Sequence, residues 1–307
     1  MSSLEKEPAL DGTIPDNRSS DIQEAYVRVD GARMRYLCAG SGPPILLVHG
    51  LLGYSFSWRF TLPFLARHAT VYAVDMLGTG FSERVPGLDC SLRSMAGRLL
   101  KFVEEIGLSR FDLLGASHGG AVAMMLAAAC AEQSPNSEQR RVQRLILAAP
   151  VNPWSPHGQF LALLLGNSIG STLFKATVAR MNVTYGYWLS RLYGEPGKIP
   201  PGTLQGYSAP FNIPGTFDYA LSVMRCWNSG LHDLESALPR IADYRTLLIW
   251  GSRDRAVDPG SAAPLQKAFR HCELVEFEGV GHLPYEEAPN EFNCAVLKFL
   301  QPTPQES

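Results

Sequence analysis

Polar and apolar residues alternate over Tyr26-Val-Arg-Val29, and Asp30-Gly31 follows, with Met34-Arg-Tyr-Leu-Cys38 beyond it. Period-two alternation on both sides of an Asp-Gly pair predicts a tight antiparallel hairpin, half-buried on one face. The pattern then changes. Ile45–Val48, Val71–Val74, Phe111–Leu114, Leu145–Ala148 and Thr246–Trp250 are short, nearly continuous apolar runs, and Leu274–Phe277 is a weaker sixth. Strands covered by helices on both faces read this way. Between the runs, Leu92–Ile106, Gly119–Ala131, Ala262–Arg270 and Glu291–Leu300 place apolar residues near the helical period. Strand and helix in alternation predict an α/β fold, a mostly parallel central sheet flanked by helices.

One stretch breaks the rhythm. From about Pro153 to Leu238 no strand pattern occurs, only helical pieces separated by Pro and Gly and rich in aromatics, among them Trp154, Tyr185, Trp188, Tyr207, Tyr219 and Trp227. An insertion of this size between two sheet strands reads as a helical cap over one edge of the sheet. The expected division is therefore a disordered polar tail over 1–24, a core over 25–152 and 239–302, and a helical cap over 153–238.

Composition adds mainly exclusions. With 46% hydrophobic and 18% charged residues the chain can bury a core without staples. A formal net charge of −2 gives no electrostatic reason to expect nucleic acid or an acidic membrane as partner. A small, neutral or weakly charged molecule fits better. The six cysteines are scattered with no Cys-x-x-Cys pair, which argues against zinc or a redox dithiol and for reduced thiols. The amino terminus has no basic start followed by an apolar run, so no signal peptide is visible. The longest apolar run, Ala121–Ala131, falls well short of the ~18 residues a membrane span needs. The expectation is a soluble, cytoplasmic protein that calls for no cofactor or metal; its oligomeric state stays open.

Candidate chemistry concentrates in Gly115-Ala-Ser-His-Gly-Gly120, directly after the Phe111–Leu114 run and at the opening of an Ala-rich helix. This is G-x-S-x-G in a strand–turn–helix setting. The turn is so sharp that its flanking residues must be very small, and it pushes the Ser117 hydroxyl into a cleft at the helix start, where negative charge is favoured.

At this point the chain resembles the α/β-hydrolase superfamily, from about Tyr26 to Leu300 apart from the cap. Five landmarks carry the resemblance in order: His49-Gly50, Asp75-Met-Leu-Gly-Thr-Gly-Phe-Ser82, the serine turn, Trp250-Gly-Ser-Arg-Asp254 and Gly279-Val-Gly-His282. A serine hydroxyl needs a base. Of seven histidines, His68 and His271 precede strands, at the wrong end of a parallel sheet, and His157 and His232 belong to the cap. His118 is pinned beside the serine and His49 precedes the neighbouring loop. His282 follows the last strand and is the expected base. The carboxylate that fixes its tautomer is expected at Asp254, just past the Thr246–Trp250 run, with Asp258 as second choice. Asp75 is expected to organise its own Gly-rich loop. The resemblance implies an oxyanion hole made by the N–H groups of His118 and Leu51.

The same resemblance narrows the activity to hydrolysis of a carboxylic ester through an acyl-enzyme. Dehalogenases and epoxide hydrolases of the superfamily carry an aspartate where Ser117 stands, and a single Gly50 departs from the HGGG-type esterase loop. Enzymes that hydrolyse carbon–carbon bonds of ring-cleavage products use the same triad but commonly carry Gly-Pro-Gly where this chain has Gly53-Tyr54-Ser55. A ligand-binding receptor on the same fold is the remaining alternative.

Overall fold

A computed structural model describes residues 22–134, 139–155, 158–166, 170, 172 and 181–301. The hairpin forms as expected: β1 (Gln23–Val29) and β2 (Ala32–Ala39) pair antiparallel around the Asp30-Gly31 turn. Strand β1 starts two residues inside the stretch expected as tail. Glu24 is held there because it pairs with Leu37 across the ladder and its carboxylate meets Arg35 at 2.7 Å. Residues 1–21 of the expected tail lie outside the described residues.

The apolar runs become β3 (Pro44–Val48), β4 (Thr70–Val74), β5 (Phe111–Ala116), β6 (Val142–Ala148), β7 (Arg245–Gly251) and β8 (His271–Phe277). Together they make an 8-stranded sheet in the order β1-β2-β4-β3-β5-β6-β7-β8. The first two neighbour pairs are antiparallel and all others parallel. Strand order reverses at β3, so the loops leaving β3 and β5 diverge and leave a crevice at their carboxyl ends. The serine turn and the loop expected to supply an oxyanion donor flank that crevice.

The helices are α1 (Leu62–Leu65), α2 (Leu92–Glu105), α3 (His118–Gln133), α4 (Gln159–Gly166), α5 (Met181–Leu192), α6 (Thr203–Ser208), α7 (Thr216–Arg225), α8 (Trp227–Ile241), α9 (Ala262–Lys267), α10 (Pro284–Glu287) and α11 (Pro289–Leu300). Adjacent residues of the central strands serve opposite layers. Leu46, Val48, Leu113 and Leu147 pack with α2, α3 and α8, whereas Ile45, Leu47, Leu114 and Ile146 pack with α1 and α11. Burial on both faces is why these strands are continuously apolar rather than alternating. Helix α3 is likewise buried almost all round, which explains its unbroken Ala121–Ala131 run.

Among the described residues, no strand lies between β6 and β7. The expected boundary at Leu238 does not coincide with a break, however. Helix α8 runs through it, with Pro239 inside, and ends at Ile241. Leu234, Ala237, Leu238 and Ile241 sit in the same core layer as α3, and this packing holds the helix together across the proline. Among the described residues no helix is long and apolar enough to cross a membrane, and all six cysteines are unpaired.

Candidate active site

The turn after β5 carries Ser117 at φ 52° and ψ −126°, a conformation that side-chain-bearing residues rarely adopt. Three backbone bonds hold it: Ser117 N–H donates to Ala148 at 2.9 Å, and its carbonyl accepts from Gly120 N–H (2.9 Å) and Val151 N–H (3.0 Å). Close approach explains the flanking glycines. A Cβ on Gly119 would stand 2.1 Å from the His49 carbonyl oxygen, and one on Gly115 would stand 2.6 Å from the Gly119 carbonyl oxygen. The loop after β3 thus lies directly against the start of α3.

The three expected side chains come together from loops far apart in sequence. His282 Nε2 lies 2.9 Å from Ser117 Oγ, and His282 Nδ1 lies 2.8 Å from Asp254 Oδ2. The other carboxylate oxygen, Asp254 Oδ1, accepts the N–H groups of Ala256 (2.7 Å) and Val257 (3.0 Å). That leaves Oδ2 for the imidazole, which donates to it from Nδ1 and keeps Nε2 as an acceptor toward the hydroxyl. Asp258 is engaged elsewhere: it caps the turn at Pro259–Ser261 through Gly260 N–H at 3.0 Å.

The first turn of the β3 loop is oriented by His49. Its Nε2 accepts from Met76 N–H at 3.1 Å, so Nδ1 carries the proton and donates to the Gly50 carbonyl at 2.8 Å. Burial pushes the pKa of this imidazole down and keeps it neutral. Gly53 N–H donates to the same Gly50 carbonyl at 3.1 Å. In a trans peptide the N–H points opposite to the carbonyl, so Leu51 N–H faces away from the His49 ring. A Cβ on Gly50 would lie 3.0 Å from that of Ser117, which places this peptide against the serine. Asp75 organises its own loop, as expected: its carboxylate accepts from Ser55 N–H (2.7 Å), Phe81 N–H (2.9 Å) and Arg35 Nη1 (3.0 Å).

Two residues not foreseen from the sequence brace the histidine loop. Glu287 Oε2 accepts from Gly281 N–H (2.8 Å) and Gly194 N–H (2.9 Å), and Oε1 accepts from Glu195 N–H (2.8 Å). His282 N–H itself donates to Leu192 at 2.7 Å. Beside it, the buried carboxylate of Glu286 receives Arg59 in a two-point contact (2.6 and 3.0 Å), Tyr193 at 2.6 Å, and the Tyr207 hydroxyl. Burial raises the pKa of both phenols, so they stay protonated donors. The pair of acids after the histidine was their only trace in the sequence, and it looks like the charged start of an exposed helix. Of the cap aromatics, Tyr185, Tyr193, Tyr207, Phe211 and Tyr219 are buried, while Trp154, Tyr187 and Trp188 are exposed. His157 and Phe174 lie outside the described residues.

A strained turn at the head of a helix, a histidine from the last strand's loop and a carboxylate from the loop before it define the class, and the sequence places the chain within it. The chain belongs to the alpha/beta hydrolase family, whose pattern it matches over residues 45–295. It is 27% identical over 301 residues to haloalkane dehalogenase 2 of Mycobacterium tuberculosis (strain ATCC 25618 / H37Rv), covering 92% of this chain and 97% of that protein. It is 25% identical over 297 residues to the soluble epoxide hydrolase of Corynebacterium sp. (strain C12), covering 92% and 99%. Among solved structures, 2-hydroxy-6-oxo-6-phenylhexa-2,4-dienoate hydrolase from Rhodococcus sp. strain RHA1 superposes with a TM-score of 0.75 at 23% identity, covering 91% of this chain and 99% of that one. That last likeness carries the fold alone.

Proposed function

We propose that this family member is a serine hydrolase that cleaves a carboxylic ester of a small to medium, largely apolar substrate through an acyl-enzyme. The observation that carries the reading is the unbroken line from Asp254 Oδ2 through His282 to Ser117 Oγ, at 2.8 and 2.9 Å. Nε2 takes the serine proton as Oγ attacks the carbonyl carbon, and Asp254 stabilises the imidazolium that forms. Negative charge developing on the carbonyl oxygen is met by the N–H groups of His118, at the head of α3, and Leu51. Each such donor contributes about 10²–10³ in rate. Collapse of the tetrahedral species returns the proton to the departing alcohol, and water then releases the acid by the same steps. The serine supports this chemistry over that of relatives named for haloalkanes and epoxides, because the resemblance implies an aspartate in those enzymes. No cofactor enters the reading.

A fluorophosphonate probe and p-nitrophenyl esters of short and medium acids test it. Wild type is expected to label and to turn these esters over, and Ser117→Ala to do neither, with turnover lower by on the order of 10⁴–10⁶. Absence of both labelling and turnover in wild type removes the esterase reading and favours a receptor. Labelling with cleavage of vinylogous diketones alone assigns the chain to carbon–carbon hydrolysis instead.

A further inference from the structure

The turn that carries the Leu51 N–H is strained. Gly53 N–H donates to the Gly50 carbonyl at 3.1 Å, which closes a tight turn over residues 50–53. Its third residue, Leu52, has φ 57°, a left-handed conformation that this position normally gives to Gly or Asn. Such a residue keeps its shape only where the surroundings over-determine it. With either end free, the turn would relax Leu52 to negative φ and swing the neighbouring Leu51 peptide.

Both ends are held from outside the loop, by the chain that leaves β4 and by β2 beside it. At the entry, His49 Nε2 accepts from Met76 N–H at 3.1 Å. At the exit, Ser55 is held twice: its N–H donates to Asp75 Oδ1 at 2.7 Å, and its Oγ accepts from Arg35 Nη1 at 3.0 Å. The same Nη1 donates to Asp75 Oδ2 at 3.0 Å, and Nη2 donates to Glu24 at 2.7 Å. Ser55 and Asp75 are buried, and Arg35 is the only arginine or lysine buried among the described residues. Packing leaves little slack, since a Cβ on Gly80 would lie 2.3 Å from Asp75 Oδ2 and 2.6 Å from Tyr54 Cβ. A staple between β1 and β2 needs only the Glu24 contact. The buried Nη1 arm fixes the exit of the turn instead.

We propose that Arg35, acting through Ser55 and Asp75, is a positioning residue that holds the Leu51 N–H in place for the oxyanion. The inference rests on the ester-hydrolase reading, in which that N–H meets the carbonyl oxygen. A donor placed there acts on the transition state and not on the bound ester, so its loss lowers kcat and leaves KM nearly unchanged. The test compares Arg35→Met, Ser55→Ala and Glu24→Gln with wild type on p-nitrophenyl butyrate, well below their melting temperatures. Turnover is expressed per serine titrated to completion with a fluorophosphonate, so that misfolded protein is not counted. Arg35→Met removes both arms and is expected to lower kcat by about ten- to hundredfold, up to the loss of one whole donor. Ser55→Ala removes one bond, keeps the Arg35–Asp75 pair, and is expected to lower kcat by about three- to tenfold. Glu24→Gln touches only the exposed side of the guanidinium and is expected to leave kcat unchanged. KM is expected to stay within about twofold throughout. Hexyl trifluoromethyl ketone, whose adduct with Ser117 Oγ carries the oxyanion, is expected to bind more weakly by the factor lost in kcat. An unchanged kcat per titrated serine in Arg35→Met and Ser55→Ala overturns the inference and leaves the esterase reading standing. So does a loss confined to KM, or an unchanged affinity for the ketone. If Arg35→Met does not fold, Ser55→Ala decides alone. Wild type that neither labels nor binds the ketone removes the hydrolase reading, and this role falls with it.

Discussion

Glu287 accepts the N–H of Gly281 at 2.8 Å, one residue before His282, while holding the N–H groups of Gly194 and Glu195 at 2.9 and 2.8 Å. One carboxylate therefore binds the histidine loop to the chain that leaves α5. Replacing it with an amide leaves a single acceptor oxygen for three donors and turns an NH₂ toward the others. Charge-assisted bonds of this kind contribute roughly 1.5–3 kcal/mol each. Glu287→Gln is expected to lower the melting temperature by several degrees and kcat by about ten- to hundredfold, as the imidazole loses its alignment. Thermal unfolding with ester kinetics checks both. An unchanged kcat in a folded variant would show that the brace does not govern the base.

Asp254→Asn has a predictable orientation. Two backbone N–H groups already converge on Oδ1, so the amide oxygen must occupy that place. The NH₂ then faces His282 Nδ1 and forces the proton onto Nε2, where it can no longer accept from the serine. Turnover should fall about 10⁴-fold with the fold retained. A loss of only a few-fold, measured on steady-state ester hydrolysis, would assign the carboxylate role to another residue.

Glycine-to-alanine changes should differ in sign across the molecule. At Gly119 the added methyl meets the carbonyl oxygens of His49 and Val48 at 2.1 and 2.6 Å, and neither is the end of a flexible side chain. Gly119→Ala is expected to lose about 4 kcal/mol or more, or to fail to accumulate as folded protein. Gly97, inside α2, meets nothing within 4 Å. Gly97→Ala should therefore gain about 0.5–1 kcal/mol. Urea unfolding of the two variants decides, and equal effects at both positions would contradict the packing described.

Acid should destabilise the fold through its buried imidazoles. His118 is held down to about 4 from an ordinary 6.5, and His49 is lowered too, both chiefly by burial. Between these values the unfolded chain binds more protons than the folded one, so stability falls as pH drops from about 6.5 toward 4. His118 alone accounts for roughly 3 kcal/mol by the lower end of that window. The melting temperature of wild type is expected to decline more steeply than that of His118→Leu from about pH 7 to about pH 5. Parallel declines would mean that folding leaves the proton affinity of this ring unchanged.

The sheet was legible because strands buried on both faces read as short continuous apolar runs, while helices such as α2, buried on one face, keep apolar residues at the helical period. Ser117, His282 and Asp254 were legible by a different route: each is the chemistry-bearing residue just beyond an apolar run, where a parallel sheet gathers its loops. What escaped notice depends on contacts across the fold. Glu286 and Glu287 read as solvent-facing acids, since only packing against Arg59, Tyr193 and the Gly194 backbone buries them. The cap boundary expected at Leu238 falls inside a helix, just before Pro239, a residue that costs a helix a backbone bond. Helix α8 tolerates that loss where Leu238 and Ile241 are seated in the core. The environment of His118 was equally invisible, because nothing near position 118 announces that Trp227 will lie over it.

Helix α8 has Trp227, whose ring stacks on that of His118 with centroids 5.6 Å apart, at one end and Ile241, a fixture of the main core, at the other. Transplanting a lid from a relative therefore has a natural splice point in the turn at Ala242–Tyr244, beyond the helix. A join made at 238 would saw through the rod that sets the indole, and a chimera built that way would inherit new walls on a slipped hinge.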